Sequence, residues 1–262
     1  MWGGDLDAAE PFLATVLSSS VSPEEADRLY GVNPLVAARS FESLRRWVCA
    51  EPDRARAVQR EALALAERLG RPFTVAHAAA YAAFLHVLNG EWSEAARMAT
   101  RAAELSNEYG FPLWSGTALV IRGRALVEQG EGERGLAEIR AGLDELRRAK
   151  IRLAASLWFS LFSEACLRLD RVDEGLAATD TGLTHCRDTG ARLFEAELWR
   201  VRGELMLRGA PSKTRTPPGA IRESEECFEK ARAVARAQGA HMLERRASRG
   251  DAGATAPRKP SR

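Results

Sequence analysis

The feature that most constrains this chain is a break that returns every 40 residues. It falls at Gly70, Gly110, Lys150 and Gly190, and a second series at Gly90, Gly130, Asp170 and Gly209 lies about midway. Each 40-residue unit therefore holds two segments of about 17 residues, which predicts two helices joined by tight turns. Glycine suits such turns because a helix commonly ends on a residue at positive φ. Lys150 departs from that preference and should cost ~1 kcal/mol if it adopts the same conformation. Pro72 and Pro112 follow the glycine of their units, where a first helical turn accepts proline.

Small residues recur at fixed offsets within the units. One column reads Ser43, Ala83, Gly123, Ser163, Gly203; twelve residues later come Ala55, Ala95, Gly135, Gly175; seven beyond those stand Ala62, Ala102, Gly142, Gly182. Four residues before the first column the residue is larger: Leu119, Phe159, Trp199. Small side chains let two helix backbones approach, and large neighbours fill the space between layers. A fifth unit continues the pattern once about nine extra residues are allowed, so that Phe228 and Ala231 match Ile139 and Gly142. The extra residues lie in a Pro-, Gly- and base-rich stretch, 208–220, expected to be a loop.

These offsets resemble those of tetratricopeptide (TPR) repeats, with a 40-residue unit in place of the usual 34. More narrowly, Ala62–Phe73, Gly110–Gly130, Asp173–Ala178 and Glu195–Leu207 resemble the C-terminal helical repeats of large bacterial regulators. Those proteins carry a class III adenylate/guanylate cyclase domain and a P-loop ATPase before the repeats. The resemblance runs over about residues 4–247. It implies an all-α, right-handed α-solenoid of antiparallel helix pairs. The expected organisation is a partial repeat and linker over 1–30, a repeat array over 31–244, and an unstructured basic tail over 245–262. Gly4–Ala9 resembles a second helix lacking its first, and Met242–Ala247 resembles the start of another unit, so both ends read as cut within a repeat.

Charge supports that division. Lys and Arg number 38 against 36 Asp and Glu, a net +2, which argues against a dedicated nucleic-acid binder. Six bases and one acid fall in 245–262, so the array before them is mildly acidic. Cys49, Cys166, Cys186 and Cys227 lie far apart with no CxxC, the pattern of reduced thiols in a cytoplasmic protein. No apolar run is long enough to span a bilayer, and the N-terminus has no basic region followed by an apolar one.

Motifs with chemical associations read more simply as parts of the repeat. Gly130-Glu131-Gly132-Glu133-Arg134-Gly135 spells G-x-G-x-x-G, but a dinucleotide site needs it after a strand, and here it follows a helical segment. His77, His86, His185 and His241 have no metal-ligand spacing, and His185 and Cys186 point about 100° apart on a helix. No P-loop and no Gly-x-Ser-x-Gly occurs, so no catalytic, cofactor or metal residue is assigned. Arg249-Gly250-Asp251 is taken as chance.

The first helices of stacked units would line one concave groove. Its expected residues are His77, Tyr81, Phe84, Arg124, Glu164, Arg168, Arg200, Glu204 and Arg208. Arg124, Arg168, Arg200 and Arg208 could fork onto a carboxylate or phosphate. Alternatively Arg124–Glu128, Glu164–Arg168 and Arg200–Glu204 are ordinary i,i+4 pairs. Tyr81, Phe84, Trp114 and Trp158 are either binding anchors or inter-repeat packing. The expected function is a non-catalytic platform for a protein or peptide partner or for neighbouring domains of a longer signalling regulator. The ends could self-associate, and membrane or nucleic-acid partners are not expected. Alternatives are a part of a nucleotide-dependent cyclase or ATPase whose catalytic domains lie elsewhere, and a small-molecule-sensing repeat domain.

Overall fold

Alanine-rich segments opened by proline and closed by a left-handed residue dictate short helices and tight turns, and the computed structural model has that pattern. It describes residues 1–29, 31–209 and 218–255. The helices are α1 (Leu6–Leu17), α2 (Pro23–Leu29), α3 (Pro34–Val48), α4 (Pro52–Leu69), α5 (Pro72–Leu88), α6 (Trp92–Tyr109) and α7 (Pro112–Glu128). They continue as α8 (Gly132–Arg148), α9 (Ala155–Arg168), α10 (Val172–Thr189), α11 (Glu195–Gly209), α12 (Pro218–Ala237) and α13 (His241–Thr255). No strand occurs among the described residues. The fold is an all-α, TPR-like solenoid of antiparallel helix pairs.

The turns explain the period. Ala50, Gly90, Gly130 and Asp170 all have positive φ, and the next residue in each case donates its N–H to the carbonyl five residues back. Those bonds are Glu51 to Arg46, Glu91 to His86, Glu131 to Leu126 and Arg171 to Cys166, at 2.8–2.9 Å. The same closure recurs between pairs, with Phe111 donating to Ser106 and Ile151 to Leu146, both at 2.9 Å. This is the Schellman geometry, which satisfies carbonyls that a helix end leaves open. Lys150 holds φ 57° as its place in the series requires. Ala50 extends the second series upstream, although no glycine marks it. Gly209 ends α11 without a positive φ, whereas Gly239, after α12, has one and continues the first series with the nine-residue shift.

The small-residue columns are helix crossings. A Cβ on Gly123 would stand 2.5 Å from the Gly135 carbonyl oxygen, and one on Gly142 would stand 2.5 Å from that of Gly116. These contacts press α7 against α8 within one pair. In α11, Gly203 faces the Phe228 ring, as Gly123 faces Ile139, so the inferred nine-residue shift is the structural one.

Contacts divide the chain into two units, Met1–Ala154 with α1 to α8 and Ala155–Arg262 with α9 to α13. One expectation needs correcting. The segment from Arg245 is helical as far as Thr255, as part of α13, which packs on α11 and α12. Ala240, Leu243 and Ala247 are fully buried there, an apolar stripe at i, i+3, i+7. Residues 256–262 of the expected tail, and 210–217 of the expected loop, lie outside the described residues. The rest of 208–220 belongs to α11 and α12. Residues 1–30 carry α1 and α2, with Asp5 capping α1 by accepting from the Ala8 N–H at 2.8 Å.

Candidate functional site

In the first unit the site is built on α3, α5 and α7. α5 is buried on nearly every side, and alanines make up much of it. Among its larger buried residues, His77, Tyr81 and Phe84 share one face. His77 stacks on Tyr81 one turn later, with ring centroids 4.7 Å apart. Phe41 of α3 meets both edge-on, at 6.2 and 5.4 Å, and Trp114 of α7 meets His77 edge-on at 4.9 Å. Phe73 joins the cluster against Trp114 at 6.1 Å. Edge-to-face and offset contacts of this kind contribute ~0.5–1.5 kcal/mol per pair beyond burial.

This cluster is interior. His77, Tyr81, Phe84 and Trp114 are all buried, and so is Trp158 in the second unit, so none is an exposed anchor. Burial pushes the His77 imidazole down to about 3, holding it neutral, and pushes the Tyr81 phenol up. Arg124 of α7 pairs with Glu128 at 2.8 Å and lies 4.9 Å above the Trp92 ring. It is thus the i,i+4 pair that the spacing allowed, with a cation–π contact added.

The first unit also holds an ion cluster that the repeat columns did not mark. On α3, Glu42 accepts from Arg45 at 2.7 Å and Arg46 at 2.6 Å, and Arg45 reaches Glu10 of α1 at 3.3 Å. Burial raises the Glu42 carboxyl, but the two guanidiniums outweigh it and hold it below its usual range.

In the second unit Glu164, Arg200 and Glu204 come together. Arg200 donates to Glu164, to Glu197 at 2.8 Å and to Glu204 at 2.8 Å. Burial disfavours its charge, yet Glu197, Glu204 and Glu164 outweigh burial and keep it ionised well above its usual range. Arg246 of α13 completes the cluster, donating to Glu164 at 2.6 Å and to Glu197 at 3.0 Å. Arg246 falls in the tail on the sequence reading. Carrying the nine-residue shift forward puts it in the column of His77, Thr117, Leu157 and Glu197, which was the signal available. Arg168 and Arg208 are exposed; Arg208 reaches Asp170 at 3.8 Å, apart from the cluster. Arg200, the best placed of the four arginines, already has carboxylates on each donor edge, so it is no open fork for an anion.

The remaining motifs take structural places. Gly130 is a left-handed turn after α7, and Gly135 a helix crossing. His185 stacks on Phe159 at 5.6 Å, while Cys186 is buried and its thiol is pushed up to about 12 by burial, away from reactivity. Among the described residues no group of His, Cys, Asp and Glu could hold a metal ion, and no helix is long and apolar enough to cross a membrane.

No protein-family model matches the sequence, and a search of curated proteins found no match. Solved structures do resemble it. BtubC from P. vanneervenii aligns with TM-score 0.53 at 19% identity, over 97% of this chain and 96% of its own. Aspartyl phosphate phosphatase F from Bacillus subtilis aligns with TM-score 0.55 at 11% identity, over 95% of this chain and 66% of its own. A signal transduction ATPase from Pyrococcus horikoshii with a tetratricopeptide repeat sensor aligns with TM-score 0.51 at 12% identity; this chain spans 95% of itself but 39% of that protein. At these identities the likeness is one of fold, and the fold is a TPR-like helical repeat.

Proposed function

We propose that the chain is a non-catalytic interaction platform, which takes a protein or peptide partner on its first helices. The observation that carries this reading is where the repeat spends its polar chemistry. Arg200 and Glu197, both buried, and His77, among buried rings, stand on first helices at columns where a pure scaffold would place aliphatic residues. Buried ionic and polar groups are costly, so their place on the first helices marks where the array departs from a plain scaffold. A role within a longer cytoplasmic bacterial signalling regulator fits the similarity to a repeat sensor that forms part of an ATPase. On that second reading catalysis lies in other domains and the array reports occupancy to them.

The test is selection of binding peptides from a displayed random library against the full chain. Selected peptides should lose at least about tenfold in affinity with Glu204→Gln, and none with Arg97→Ala on α6. Failure to enrich any peptide, or binding indifferent to both changes, overturns the reading.

A further inference from the structure

In the second unit a groove of about 500 Å³ opens between α10 and α12, with α11 as its floor. At about 100° per residue, its α11 residues Trp199, Arg202 and Met206 project away from Glu197, Arg200 and Glu204, so it lies on the side opposite the ion cluster. The bottom of the groove is apolar. Leu183 and Cys227 are buried there, and the Met206 Sδ lies 3.9 Å from the Cys227 Sγ. The rim is charged, and the charges are sorted by end. At one end Lys230 of α12 rests 4.7 Å from the Trp199 ring, and Arg187 of α10 follows Cys186, against which that ring packs. Midway, Arg202 is neutralised by Asp180 at 2.6 Å. Glu226 and Glu223 stand one and two turns before Lys230 on α12 and make the other end acidic. Glu226 leans out of the groove towards Arg222, at 3.7 Å, which leaves Glu223 as the exposed carboxylate facing along it.

This arrangement selects a ligand by charge and length. A groove of that volume suits a small molecule. A polyanion drawn to Lys230 and Arg187 meets Glu223 and Glu226 further along, and a polycation meets the converse. A ligand with one charge of each sign, held apart, is attracted at both ends. Lys230 and Glu223 are seven residues apart, so the helix rise separates them by ~10 Å. Three extended residues span ~10 Å as well, which sets that distance between the ammonium and carboxylate of a free tripeptide. We propose that α10, α11 and α12 bind a short free peptide of about three residues, with its carboxylate at Lys230 and Arg187 and its ammonium at Glu223. Arg187 offers the carboxylate a planar fork, and the Met206 thioether adapts to small apolar side chains in the middle. The site goes beyond the platform reading and stands without it, since it uses the other side of α11.

The experiment is a calorimetric titration of the full chain with trialanine, N-acetyl-trialanine and trialanine amide. Trialanine should bind saturably at one site, and either cap should weaken it by about tenfold or more. That comparison is made on the unaltered protein, so misfolding of a variant cannot mimic it. Lys230→Gln and Glu223→Gln, both at exposed positions, should each weaken trialanine by a similar factor. The pairing of losses then fixes the orientation. The acetylated peptide should lose nothing further with Glu223→Gln, and the amide nothing further with Lys230→Gln. Glu204→Gln, across α11, should leave the trialanine titration unchanged. Absence of saturable binding overturns the proposal, as do equal binding of free and capped peptides, the reversed pairing, or a loss with Glu204→Gln. Displayed peptides that bind through Glu204 while trialanine fails to bind remove this groove and leave the platform standing. Saturation by trialanine with no displayed peptide ever enriched does the reverse.

Discussion

Gly123 and Gly135 stand backbone to backbone: a Cβ on either would lie 2.5 Å from the other's carbonyl oxygen. No side chain can be shifted to relieve such a clash, because the obstruction is main chain. Alanine at either place gains ~1 kcal/mol of helix propensity and loses more by forcing α7 and α8 apart. The expected net cost is about 2–3 kcal/mol for Gly123→Ala, read as a lower urea midpoint. Gly219→Ala is the control. Nothing lies within 4 Å of its Cβ, and it should be neutral or stabilising by up to ~1 kcal/mol. Equal midpoints for the two variants contradict the crossing.

That contact is legible in the amino-acid sequence, because close approach leaves only glycine or alanine and the repeat shows the choice several times over. Local rules of this kind, turns and crossings, project onto sequence at fixed spacing. The candidate site projects poorly. His77 and Arg124 read as groove residues from their columns, yet whether a first-helix side chain faces open space or is roofed by Phe41 and Trp114 depends on tertiary contacts. Arg246 is hidden for another reason. Glycine and arginine around it imitate a disordered tail, while its partial burial comes from Leu243 and Ala247 docking α13 onto its neighbours. Ala50 escapes notice because the turn demands a conformation, not a residue type.

Lys150 takes a left-handed conformation at φ 57° with an exposed side chain. A residue with a Cβ costs ~1 kcal/mol there relative to glycine. Lys150→Gly should therefore raise stability by about 1 kcal/mol, and Ala50→Gly, at φ 68°, should act alike. Glycine replacement at Ala154, buried with ordinary backbone, should not stabilise. Thermal unfolding of the three variants distinguishes a conformational gain from a general effect of glycine.

Arg200 gathers Glu164, Glu197 and Glu204, so its removal takes from three carboxylates the guanidinium they share, while Arg246 still reaches Glu164 and Glu197. Breaking a buried ion cluster from one side costs ~3–5 kcal/mol, and Arg200→Leu should fall in that range. Arg246, half-covered, should cost less on its own. The two share Glu164 and Glu197, so their effects should not add. A double-mutant cycle by chemical denaturation gives a coupling of about 1 kcal/mol or more; strict additivity removes the idea that α13 is anchored through this cluster.

His77 makes the stability of the first unit depend on pH in a predictable direction. Burial lowers its folded value to about 3, against about 6.5 for the exposed side chain. Between those values the unfolded chain binds the proton and the folded chain does not, so acid favours unfolding. The contribution of neutral His77 is whole above pH 6.5 and declines as pH falls towards 3. The limiting slope is ~1.4 kcal/mol per pH unit, which amounts to about 2 kcal/mol between pH 6.5 and 4.5, since the slope is only half as steep at the upper end. Carboxylates such as Glu42, held low by Arg45 and Arg46, lose their contribution only further down, as pH falls below about 4.5. His77→Phe keeps an aromatic ring without the titration. Denaturation at pH 7.0 and 4.5 should therefore show a difference between wild type and variant that shrinks or reverses in acid. Parallel pH profiles for the two proteins would mean that the imidazole is protonated inside the fold.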